Sequence, residues 1–219
     1  MKMTKYSHSC VRFEKGGSVL VLDPGNFSEV EEALDGADAI LVTHEHADHI
    51  DRERVLPILA ARAGLHLYAP EPLAGSLREA VGEDVRARIH EVAPERTVEI
   101  AGFAIRSFGG QHALIHPLIP VVGNLAYLIE ESIYHPGDSF IVPNGLTATT
   151  LLLPIHAPWS KIGEVIDFLI ACGARTAYPI HDALLNGNGR GLVEKHLERF
   201  GGMYGTRYVH LAPGDTVEL

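Results

Sequence analysis

Residues 40–51, ILVTHEHADHID, run from an unbroken apolar stretch straight into a cluster of metal-ligand side chains: His44, His46, Asp48, His49 and Asp51. Such a run reads as a strand buried on both faces that hands its last residues to a loop at a rigid edge. Positions i and i+2 of extended chain lie on one side, so His44 and His46 can grip one ion. Asp48 and His49, a step further round the turn, point to a neighbouring position. A zincin helix needs His-Glu-x-x-His, and Asp48 stands where that motif requires its second histidine. Four ligands from so short a loop exceed what one tetrahedral ion takes once a histidine from elsewhere joins. Two metals are the economical reading.

The apolar-run pattern recurs along the chain. SVLVLDPG (18–25) is a second continuous run, stopped by Asp-Pro-Gly, and FAIRSF (103–108) alternates as a half-buried strand does. NLAYLIEESIYHPGD (124–138) predicts two strands around a Glu-Glu turn; TTLLLPIH (149–156) and ARTAYPIH (174–181) predict two more, each ending in histidine. KIGEVIDFLIACG places Ile162, Val165, Ile166, Leu169 and Ile170 on one helical face with Gly173 as the stop, and RGLVEKHLERFGG repeats the pattern. DRERVLPILAARAG is a helix candidate weakened by Pro57. Apolar strands with helices between them describe sheets covered by helices. With 219 residues, 46% of them hydrophobic, and no linker or repeat, one domain spanning 1–219 is expected.

Charge and cysteine content narrow the function. A formal net charge of -10 without any Lys/Arg run argues against nucleic acid as a partner. Cys10 and Cys172 offer neither a disulfide framework nor a cysteine-based zinc spacing and read as buried thiols of a reducing compartment. No signal-like or membrane-length apolar run is visible, so the expectation is a cytoplasmic protein acting on a small molecule, with homo-oligomerisation left open.

Other ligand types stand where apolar strands end: His112 after RSFGGQ, Asp138 after SIYHPG, His181 after TAYPI. Any one of them is most simply a core or loop residue; four strand ends converging on one edge of a layered fold are not. With Thr43-His44-Glu45-His46-Ala47-Asp48-His49, then Gln111-His112, Gly137-Asp138-Ser139 and Pro179-Ile180-His181 in that order, the chain resembles the metallo-β-lactamase superfamily over essentially its whole length. Its HSC…LDPG start is most similar to small bacterial hydrolases of the ascorbate-phosphate lactonase-like subgroup. The resemblance implies an αββα sandwich of two mixed sheets flanked by helices. It also implies roles: His44, His46 and His112 on a first metal, Asp48, His49 and His181 on a second, Asp138 bridging. Five imidazoles and two carboxylates suit zinc first, with manganese or iron compatible. The implied reaction is hydrolysis of an ester, lactone, amide or phosphodiester by a hydroxide shared between the metals, with Asp48 orienting the nucleophile and shuttling its proton. A non-catalytic metal-binding module of the same fold, or a nuclease, is the alternative.

The remaining candidates carry two readings each. Asp23 either orients a ligand histidine or forms a turn. His116, His156 and Trp159 either line the substrate pocket or lie in solvated loops. His135 is a strand-end or supporting histidine, and His8 is read as structural. NGNGRG (186–191) is too rich in glycine and asparagine for regular structure and reads as a helix-entry turn or a mobile loop at the pocket mouth.

Overall fold

Leu20 and Leu22 face a second sheet while Val21 between them faces helices, and this alternation, repeated from strand to strand, organises the molecule. The computed structural model describes residues 1–219. The first sheet holds β1 (Lys2–Lys5), β2 (Val11–Lys15), β3 (Ser18–Leu22), β4 (Ala39–Leu41), β5 (His66–Pro70) and β6 (Ile89–Val92), with β14 (Thr216–Glu218) beside β1. The second holds β7 (Thr97–Ile100), β8 (Phe103–Gly109), β9 (Leu125–Ile129), β10 (Ile133–His135), β11 (Thr150–Pro154), β12 (Thr176–Ile180) and β13 (Arg207–Tyr208). Both sheets are mixed in the same way. β3 to β6 run parallel, as do β10 to β13, and the other half of each sheet is antiparallel.

Three apolar layers follow from the alternation. Val21, Ile40, Leu67 and Ile89 pack under α1 (Val30–Ala33), α2 (Arg52–Ala61), α3 (Glu71–Glu79) and α4 (Glu83–Arg86). Phe13, Leu20, Leu22 and Leu41 meet Phe103, Ile105, Tyr127 and Ile180 between the sheets. Leu151, Leu153 and Ala177 pack under α5 (Ile162–Cys172) and α6 (Gly187–Met203). Each fully buried Leu, Ile or Phe in these layers contributes roughly 1.5–3 kcal/mol. The architecture is the αββα sandwich of two mixed sheets. No helix is long and apolar enough to cross a membrane.

Local chemistry explains the turns. Glu130 and Glu131 take φ of 52° and 51° at the centre of a tight turn closed by Ser132 N–H donating to Ile129 O at 3.1 Å, and this turn joins β9 to β10. Gly173 ends α5 at φ 60°. The helix expected at DRERVLPILAARAG is present, and one expectation needs correction. Pro57 lies inside α2: Asp51 caps the helix by accepting Arg54 N–H, Val55 and Leu59 anchor its buried side, and the proline ring sits on the exposed side. NGNGRG is regular after all, because the Asn186 side chain accepts Gly189 N–H at 2.9 Å and glycines 187, 189 and 191 form the first turns of α6.

Candidate metal centre

The ends of β4, β8, β10 and β12 meet at one edge of the sandwich. There the two sheets are tied directly: Leu125 N–H donates to Thr43 O at 3.0 Å, and Tyr127 Oη–H donates to Val42 O at 2.9 Å. The loop after β4 supplies His44, His46, Asp48 and His49, and the loops after β8, β10 and β12 supply His112, Asp138 and His181. Seven residues spread over the sequence are thereby gathered into one cluster.

Hydrogen-bond bookkeeping sets the tautomers. Thr43 has one hydroxyl proton, and it goes to Asp23 Oδ2 at 2.7 Å because a carboxylate only accepts. Its oxygen then accepts His44 Nδ1–H at 3.0 Å, which leaves His44 Nε2 bare. Asp23 Oδ2 also accepts His49 Nδ1–H at 2.7 Å. His112 Nδ1–H donates to Ala113 O and His181 Nδ1–H to His156 O, both at 2.6 Å. Four imidazoles therefore have Nδ1 pinned as N–H and Nε2 free to ligate, the arrangement that partner groups impose on metal-binding histidine.

The free nitrogens surround Asp138. His49 Nε2 lies 2.9 Å from Asp138 Oδ1, while His181, His112 and His44 Nε2 lie 3.1, 3.2 and 4.0 Å from Oδ2. His46 brings Nδ1 to 3.1 Å from His44 Nε2. Around Asp138, nitrogen lone pairs face carboxylate lone pairs. His49 Nε2, His181 Nε2 and Asp138 Oδ1 are buried with no hydrogen-bond partner, despite their closeness. Only protons or cations between such atoms relieve the repulsion, so the donor set fits divalent metal. The atoms fall into two groups, His44–His46–His112–Asp138 and His8–Asp48–His49–His181, each with its ligand atoms within 4.8 Å of one another. These two clusters are consistent with a binuclear metal centre.

The electrostatics agree. Burial, reinforced by His49, pushes His44 well below the usual imidazole value, so it is neutral as a ligand must be. For His49 burial acts downward but Asp138 and Asp23 outweigh it, and the pKa sits well above the usual value. Burial alone would raise Asp138 and Asp48, yet both are held below the usual carboxylate range: Asp138 chiefly by His49 and His181, Asp48 by its His8 hydrogen bond and His49.

Glycine makes room for the bridge position. At Gly137 (φ 59°) a Cβ would stand 2.2 Å from Asn124 Oδ1, the atom that accepts Asp138 N–H at 3.0 Å. Trp159, half-exposed, donates its indole N–H to Asp138 Oδ2 at 2.9 Å. Beside His44 opens a cavity of about 260 Å³ walled by Glu45, Pro70, Pro72, Leu73, Val121 and Val122.

Asp23 lies directly beneath the cluster, bonded to His49 and Thr43. His116 does not join it: the residue sits on an exposed loop and its Nδ1 accepts Leu118 N–H. His156 contributes its carbonyl rather than its ring. Asp51 caps α2. His135 is buried with Nδ1 accepting Gly137 N–H, supporting the turn that carries Asp138. His8, read from the sequence as structural, lies against the cluster, its ring in contact with Asp48 and His181. Its place shortly after β1 parallels that of the candidate ligands after their strands, but no spacing links it to them.

A two-sheet sandwich whose edge carries paired His/Asp clusters defines a small metal-dependent hydrolase fold of the metallo-β-lactamase type. The beta-lactamase superfamily domain model matches residues 2–181, and the chain belongs to that family. It is 41% identical over 197 residues to protein Rv0786c of Mycobacterium tuberculosis, covering 88% of this chain and 89% of that protein. It is 26% identical over 182 residues to a UPF0173 metal-dependent hydrolase of Xanthobacter autotrophicus, covering 72% and 68%. Among solved structures, Igni18, a metallo hydrolase of the archaeon Ignicoccus hospitalis, superposes with TM-score 0.73 at 18% identity over 99% of this chain and 97% of that one.

Proposed function

We propose that this protein is a binuclear metal-dependent hydrolase that cleaves an ester, lactone or amide bond of a small, uncharged substrate. The observation that carries the reading is the convergence of four Nδ1-pinned imidazoles, with Nε2 bare, on the buried Asp138 carboxylate. His44, His46 and His112 would hold one ion, Asp48, His49 and His181 the other, and Asp138 both. Nitrogen and oxygen donors without thiolate suit zinc, and manganese or iron next. When bound, such a pair supplies activation of water at neutral pH and polarisation of the oxygen on which charge develops.

The chain's own residues do the rest. Asp48 is the more exposed carboxylate, with 24% of its side chain accessible against 3% for Asp138. It alone can meet substrate, orient the attacking water and pass a proton to the leaving group; such proton transfer is worth roughly 10²–10⁴-fold in rate. Trp159 shields the Asp138 carboxylate from water and keeps it a ligand. The cavity beside His44 is slightly below the roughly 300–1,000 Å³ of whole-ligand pockets, so it suits one substituent of a substrate. Its walls are mainly apolar and its charged group is Glu45, which favours a neutral substituent over the phosphate of an ascorbate phosphate or a nucleic acid. As with the single-domain reading, a cytoplasmic setting and a small-molecule partner are part of this proposal.

The test combines metal analysis with a substrate panel: p-nitrophenyl acetate and butyrate, δ-valerolactone and bis(p-nitrophenyl) phosphate. Two metals per chain, ester or lactone hydrolysis abolished by chelator, and a loss of about 10²-fold or more in Asp48→Ala are expected. Undiminished hydrolysis by metal-free protein refutes the mechanism. Turnover confined to the phosphodiester replaces the carbonyl reading with the phosphodiesterase one.

A further inference from the structure

His8 lies among the proposed second-site ligands, yet its hydrogen bonds are the reverse of theirs. His44, His49, His112 and His181 each give away the Nδ1 proton and present Nε2 bare. In His8, Nδ1 accepts the Ala183 backbone N–H at 3.4 Å. The single ring proton of the neutral imidazole is then on Nε2, which faces Asp48 Oδ2 at 3.1 Å. A nitrogen that carries a proton and donates it to a carboxylate has no lone pair for a metal.

Resting on the binuclear reading above, we propose that His8 is not a ligand but the positioning residue of the second metal site, aligning Asp48 through Nε2–H and His181 through its backbone carbonyl. The His8 carbonyl accepts His181 N–H at 3.1 Å, and the two rings meet at a tilt with centroids 3.9 Å apart. One residue thus touches two of the second site's ligands, one from each sheet. His8 (φ 62°) and His181 (φ 57°) both occupy the left-handed region that non-glycine residues avoid. Such backbone persists only where its surroundings over-determine it. Here they do: next to His181, Asp182 pairs with the buried Lys5 at 3.1 Å, and Lys5 Nζ also donates to Tyr6 O at 3.0 Å, three residues before His8 and two. The segment from Lys5 to Ser9 therefore braces the turn that holds His181. Asp48 needs the brace most, being the partly exposed carboxylate that solvent would otherwise let swing. No hydrogen bond or ring contact joins His8 to His44, His46 or His112; His46 and His112 are held by their own loops.

The experiment compares His8→Ala and His8→Gln with wild type, measuring zinc per chain and the two zinc dissociation constants by competition with a chromophoric chelator. The unfolding midpoints of the zinc-free proteins are recorded alongside. Loss of a partner group behind a metal ligand costs roughly 10–100-fold in affinity. His8→Ala is expected to weaken one of the two zinc ions by that factor and leave the other unchanged. His8→Gln, whose amide N–H reaches toward the same carboxylate, is expected to recover most of the loss. Equal losses in Ala and Gln would make His8 a ligand and overturn the proposal, as would equal weakening of both ions, which marks a general loss of fold. Unchanged affinities in His8→Ala overturn it while leaving the binuclear reading intact. Fewer than two zinc ions on wild type overturn both.

Discussion

Gly25, in the LDPG turn, presses its α-carbon against the metal loop. Gly25 N–H bonds to Asp23 O, Asn26 N–H to Ala47 O and Asp51 N–H to Pro24 O, so the turn lies along residues 47–51. A Cβ built at Gly25 would stand 1.8 Å from Asp48 O, 2.0 Å from Asp48 C and 2.6 Å from His49 N. Ordinary contact begins near 3.4 Å, so Gly25→Ala forces one backbone away from the other by about 1.6 Å. The obstacle is main chain, which cannot rotate aside as a side chain does. Overpacking of this kind costs typically about 1–3 kcal/mol. In a chain of this size that corresponds to a fall of roughly 2–12 °C in the unfolding midpoint of the metal-free protein. The displaced peptide carries Asp48 and His49, and a misplacement of about 1 Å costs about 10²-fold in catalysis. Gly25→Ala is therefore expected to lower kcat/KM by about 10²-fold or more and to weaken the metal bound by Asp48 and His49. Gly75→Ala is the control: it lies in α3 with no heavy atom within 4 Å of its Cβ position, and it is expected to raise stability by about 0.5–1 kcal/mol. Thermal unfolding, zinc analysis and p-nitrophenyl ester kinetics read all three effects. Wild-type midpoint and two tightly bound zinc ions in Gly25→Ala would refute the reasoning.

Asp23→Asn keeps the shape but gives His49 and Thr43 an amide in place of a carboxylate; zinc affinity is expected to fall roughly 10–100-fold, and unchanged affinity would show that Asp23 is only a turn former. Burial holds His8, His44 and His135 below the usual imidazole value of 6.5, so as pH falls below that value the unfolded chain takes up protons that the native metal-free protein refuses. Its stability is thus expected to drop between pH 6.5 and 5, and to drop again below about 3.8 as the depressed Asp138 and Asp48 are protonated; urea unfolding that is flat across the first interval would contradict this. Burial pushes both thiols, Cys10 and Cys172, up to about 12, so iodoacetamide at pH 8 is expected to spare the native protein and modify both in urea. Rapid alkylation of native protein would count against that burial.

What could be read from the chain depended on how local the cause was. The β9–β10 hairpin, with its Glu130–Glu131 turn, and α5, with its i, i+3, i+4 face and glycine stop, are specified within a dozen residues and stand in the structure where the pattern puts them. α2 and the start of α6 are different, since Pro57 and the NGNGRG glycines carry unfavourable propensities that capping and tertiary packing override. At the site, the seven residues at strand ends announced themselves through residue type and order. The tautomer logic did not, because it depends on carbonyls and hydroxyls whose positions exist only in the folded chain. His8 meets Asp48 from 40 residues away and Ala183 from 175, and Trp159 reaches Asp138 from 21, distances at which no local pattern operates.

The loop after β4 belongs to one sheet, and the loops carrying His112, Asp138 and His181 belong to the other. A metal pair held between them, as proposed, would be a rivet through two plates. Each plate has its own helices and its own outer core, so the inner faces are where the halves can part. Withdrawing the metal would then loosen a seam, not a loop. Slow-exchanging amides of β4 and β9 on its two sides would lose protection together, and the centre would report, by keeping or releasing its ions, whether the halves of the sandwich are still joined.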